Sequence, residues 1–68
     1  MYRLEHLHDL VHHQTSRTSF PTLQDAREAL MDIRCKTVKL GYKVYHRSPD
    51  SFAFFSGDTL HTLRVING

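Results

Sequence analysis

The sequence predicts a small α+β fold, an antiparallel β-meander of three to five strands with one central helix, about residues 22–40, packed on one face. Three observations carry that expectation. The run FPTLQDAREALMDIRCKTVKLG from Phe20 to Gly41 has a helical apolar period bounded by a start and a stop signal. After it, YKVYHR, SFAFF and TLHTLRVI are short β-prone runs. Ser48-Pro49-Asp50 and Ser56-Gly57-Asp58 separate those runs with turn residues, so neighbouring strands connect tightly and antiparallel.

The N-terminal twenty residues read two ways. Leu4, Leu7 and Val11, with Leu10 beside them, fit a short amphipathic helix, whereas Tyr2, Leu4 and Leu10 fit one side of a strand only if His6 and His8 share it. Residues Gln14 to Phe20 are rich in Thr and Ser, and a strand here would extend the sheet and cover its edge. The reading taken is a strand or hairpin, with the short helix as its alternative.

The helix is the most legible element. Thr22 is placed to cap its first turn, Asp25 suits the positive helix end, and Gly41 can adopt the left-handed conformation that stops it. Leu23, Ala26, Leu30, Ile33, Thr37 and Leu40 draw one mostly apolar stripe that should face the sheet. Asp32 and Lys36 are spaced to attract across one turn, and Cys35 on the flank reads as a small, partly buried hydrophobe. In the first following strand, alternation sets Tyr42, Val44 and His46 against Lys43, Tyr45 and Arg47. In the second it sets Phe52 and Phe54 against Ala53 and Phe55, and in the third Leu63 and Val65 against Leu60, Thr62, Arg64 and Ile66.

Sixty-eight residues make one domain, and a chain of this size withdraws only about 60% of its unfolded surface from water. A single cysteine excludes an intrachain disulfide and any multi-cysteine zinc motif, and favours a reducing compartment. No apolar run approaches the roughly 20 residues of a membrane span, and the N-terminus lacks a signal-peptide layout, so a cytoplasmic protein is expected. Charge is uneven: residues 1–34 sum to −1 and residues 35–68 to +3, with no acid between Asp32 and Asp50.

The pattern SFPTLQDAREAL, followed by KLGYKV and two short strands, resembles the small accessory proteins encoded by phages and other mobile elements. The resemblance covers about two thirds of the chain in pattern, with no motif that carries functional residues. It implies a protein that binds and modulates a larger host macromolecule.

Chemistry-bearing residues are few. His6, His8, His12 and His13 crowd together beside Glu5 and Asp9; on a helix His8 and His12 would lie one turn apart with Glu5 on the same side, and on a strand His6 and His8 would share a face. Two ligands fall short of a firm zinc site, so solvated imidazoles are expected, with His8 and His12 the candidate pair and no resident metal or other cofactor. His46 and His61 read as ordinary strand residues. The segment KTVKLGYKVYHR offers Lys36, Lys39, Lys43, Tyr45 and Arg47 as a nucleic-acid surface of cations and an aromatic. Enzymatic chemistry finds no nucleophile elbow and no phosphate loop. The leading expectation is therefore a non-enzymatic module acting by protein–protein contact, as a homodimer or on a different protein, without a small-molecule substrate. Its expected contacts are Lys43, Tyr45, Arg47, Phe55 and Arg64; nucleic-acid binding is the alternative.

Overall fold

The computed structural model describes residues 1–68 and runs β1 (Tyr2–His8), β2 (Val11–Thr15), α1 (Leu23–Lys39), β3 (Val44–Ser48), β4 (Ser51–Ser56), β5 (Thr59–Asn67). The strands form one antiparallel sheet in the order β2-β1-β5-β4-β3, an α+β fold with its single helix on one face. The N-terminal segment is a hairpin that joins the β3–β5 meander through β1–β5 pairing, so the sheet reaches five strands. No helix is long and apolar enough to cross a membrane.

Local chemistry explains the connections. Asp9 and Leu10 join β1 to β2 with φ of 50° and 66°, the two positive values that a type I′ turn demands and that match the twist of paired strands. Asp9 also ties this turn to the sheet: its N–H donates to the Leu60 carbonyl at 2.8 Å, and its Oδ1 accepts from the Leu60 N–H at 3.0 Å. Gly57, at φ 62°, supplies the positive angle at the first position of the two-residue turn between β4 and β5. The Pro49-Asp50 turn contains no such angle, and its strand compensates with a β-bulge in which His46, at φ 51°, and Arg47 together oppose Phe52.

The helix begins at an extended Thr22 whose Oγ1 accepts from the Asp25 N–H at 3.1 Å. It ends in a Schellman motif, with Gly41 at φ 96° donating to the Val38 carbonyl at 3.0 Å and Tyr42 to the Thr37 carbonyl at 3.3 Å. Asp32 and Lys36 pair at 3.2 Å as their spacing predicts. Ala26, Leu30 and Thr37 are buried along the expected stripe, and Thr37 returns its hydroxyl proton to the Ile33 carbonyl. Two expectations fail at the C-terminal half. Leu40 is 77% exposed because it is the cap rather than a packed residue, and Cys35 is exposed because the flank it occupies turns away from the sheet.

The core lies between helix and sheet. Leu4, Leu30 and Phe52 are its buried centre, with Phe20, Ala29, Ile33, Val44, Phe54, Leu63 and Val65 packed around them. Register explains the set: Leu4 pairs with Val65 and Phe52 with Leu63, so these side chains share the helix-side face. Phe20 reaches the core because it exchanges both backbone hydrogen bonds with Tyr2, at 2.9 and 2.7 Å, just before the helix starts.

Candidate sites on the two faces of the sheet

The face opposite the helix carries Glu5, Leu7, Ala53, Phe55, Leu60, Thr62 and Arg64, with Tyr45 on β3 and His12 on β2. Glu5 is only 9% exposed and accepts from His12 Nδ1 at 2.7 Å and Arg64 Nε at 2.5 Å. The hydrogen bond from His12, then that from Arg64, holds its carboxyl below the usual carboxylate range against the opposing effect of burial. A carboxylate depressed on folding contributes stability that is complete above its unfolded pKa, about 4.3, and is lost as pH falls through the lower folded value. Thermal melts between about pH 5 and pH 2 should therefore fall more steeply for the native chain than for Glu5→Gln. Equal slopes would show that this pairing does not contribute to stability.

On the same face Tyr45 and Phe55 pack edge to face at 5.9 Å while remaining 40% and 51% exposed, and no element covers them. The Lys43 ammonium stands 5.6 Å from the Tyr45 ring centroid. Of the expected protein contacts, Lys43, Tyr45 and Phe55 are thus brought together, whereas Arg64 is on the same face but engaged by Glu5. Arg47 departs from the expected alternation. The β3 bulge turns it to the helix side, where it lines a cleft with Arg27, Arg34 and Glu28. The proposed cationic segment is therefore divided: Lys36 and Lys39 sit in the last turn of α1, Arg47 lies across the sheet, and only Lys43 stands with Tyr45.

The helix-side face holds a second constellation. Along β1, Leu4, His6 and His8 succeed one another on this face, and His61 lies directly across from His8 on β5. His13 belongs to β2 and enters through a β-bulge in which it and Gln14 together oppose His6. The rings are in contact: His8 stacks on His13 at 3.9 Å between centroids, His6 meets His8 at 4.6 Å, and His61 stacks on Phe54 at 5.0 Å. His6 Nε2 and His61 Nδ1 share a hydrogen bond of 2.9 Å, with one ring donating according to its tautomer. Burial first, and then the neighbouring imidazoles, push the His6 and His8 pKa values down, favouring neutral rings.

This geometry corrects the His8/His12 pairing. On a strand, an even separation across a two-residue turn does not place the two together, and His12 faces Glu5 on the opposite side of the sheet. His13 and His61 were the members sequence reasoning missed. The available signal was phase: His61 stands two residues before Leu63 and four before Val65, both on the apolar face, and a turn at Asp9-Leu10 would have set His13 with His6 and His8. Compared with family models, with curated proteins and with solved structures, the chain finds no match in any of the three.

Proposed function

We propose that the chain is a non-enzymatic binding module that docks its open sheet face onto another protein. The observation that supports this most is the Tyr45–Phe55 pair, two adjacent aromatic rings left half exposed on a face no other element covers. Large aromatic side chains gathered in this way are the usual anchors of protein interfaces. Charge indicates the partner's character. Lys43 is the cation beside the rings, and the acid of this face, Glu5, is already held by His12 and Arg64. The complementary surface is therefore apolar with an acidic rim. In the mobile-element reading, that surface belongs to a larger host macromolecule whose action the module modulates.

A photo-crosslinking side chain at Phe55, compared with one at the exposed Met31 on the helix, tests the proposal inside the native cell. One protein should be captured from position 55 and not from 31, and its purified form should bind at least about 30-fold more weakly to a Tyr45→Ala, Phe55→Ala variant that melts normally. Lys43→Glu should weaken binding and reduce its salt sensitivity. Capture of a second copy of the chain would make the partner a homodimer mate. Capture of nucleic acid alone would replace this reading with the alternative, which the dispersal of Lys36, Lys39 and Arg47 away from Tyr45 weakens.

A further inference from the structure

We propose that His6, His8 and His13 form a binding site for a divalent transition-metal ion of the zinc, nickel or copper type. Their candidate ligand nitrogens all lie within 4.8 Å of one another. A tetrahedral ion with bonds of about 2.0–2.1 Å requires nitrogen pairs about 3.4 Å apart, so the rings must close by roughly 1.4 Å at most. His13 is the exposed member and so the one freest to supply that movement, by turning from its stack on His8. The other two ligands alternate on β1, which is hydrogen-bonded to a strand on each side and therefore a firm base for a site.

The donor set selects the ion. Three neutral imidazoles suit zinc, copper or nickel, whereas magnesium and calcium require oxygen ligands. Both nearby carboxylates are outside the set: Glu5 faces the opposite side of the sheet, and Asp9 accepts from the Leu60 N–H. Three protein ligands leave a fourth position to solvent. His61 is a positioning residue here, steadied by its stack on Phe54 and hydrogen-bonded to His6, as rings behind metal ligands commonly are. Packing alone does not account for these residue types. The in-phase neighbours Leu4, Leu63, Val65, Phe52 and Phe54 are all apolar, and half-buried imidazoles in their row give up burial that leucine or valine would supply.

Zinc chloride titrated into the chain, free of any oligohistidine tag, is the test. Calorimetry should give one ion per chain, and at a hundredfold excess over Kd the melting temperature should rise by about 10–20 °C. Ring-nitrogen chemical shifts of His6, His8 and His13 should move in step with that stoichiometry while those of His12 and His46 stay fixed. His13→Ala should weaken binding at least tenfold, and His12→Ala should leave it unchanged. The proposal is overturned by non-stoichiometric uptake, by one ion shared between two chains, by equal shifts at His12 and His46, or by a His13→Ala variant that binds as the native chain does. The shift measurement uses the unaltered protein, so it decides the matter even if a variant folds poorly.

Discussion

Replacing Phe52 by alanine is expected to destabilise the chain by about 3–5 kcal/mol and to leave much of it unfolded at room temperature. Phe52 is 1% exposed and, with Leu4 and Leu30, makes up the buried centre of the core between helix and sheet. A cavity here has few ways to close, because Phe52 is paired directly with Leu63 on β5, which is itself held between β1 and β4 by backbone pairing. Domains have roughly 0.05–0.15 kcal/mol of stability per residue, so a chain of this length has only about 3–10 kcal/mol in all. Urea denaturation followed by circular dichroism measures the loss. Phe55→Ala, at a ring 51% exposed on the other face, is the control and should cost under about 1 kcal/mol. Similar losses at the two positions would mean that the open face is a second core and not a binding surface.

Leu10→Gly should act in the opposite direction, stabilising by about 1 kcal/mol and raising the melting temperature by about 4–8 °C. Leu10 holds φ at 66°, a left-handed conformation that costs a branched side chain about 1–2 kcal/mol, and it is 69% exposed, so truncation removes little packing. Glycine relieves the strain and returns part of the gain as extra freedom in the unfolded chain. Asp9 stays in place and keeps both of its hydrogen bonds to Leu60. A scanning calorimeter suffices to check this. A fall in melting temperature would show that the Leu10 side chain contributes more by packing than its backbone loses by strain.

The same turn explains why the N-terminal third was the hardest part to read. Hairpins usually announce themselves by Asn-Gly or Asp-Gly, and Asp9-Leu10 provides only half of that signal. Histidine also has no firm preference for burial, so His6 and His8 left the period between helix and strand undecided. The helix was legible because Thr22 and Gly41 perform identifiable tasks at its ends, and β4 was legible because Phe52 and Phe54 alternate cleanly with Ala53 and Phe55. The Tyr45–Phe55 pair followed from that alternation. Arg47 did not, since a bulge built on a non-glycine residue at positive φ leaves no trace in composition. Strand order was beyond local signals altogether: that β1 enters between β2 and β5 is decided by which apolar faces meet over the helix.

That strand order also governs how the chain acquires its structure. Its central pairing joins the first strand to the last, with Tyr2 beside Asn67 and Glu5 beside Arg64, across almost the whole sequence. Contact order is therefore high for so short a chain, and folding should be slow because a long loop must close before the sheet gains its middle. During synthesis, the β1–β2 hairpin and the helix emerge early but have nowhere to bury Leu4 and Leu30 until β4 and β5 arrive. The nascent protein should thus remain protease-sensitive until β5 has left the ribosome. Truncation before Thr59 removes the strand that joins the two halves of the sheet, leaving two separate hairpins and an unanchored helix rather than a smaller version of the same fold.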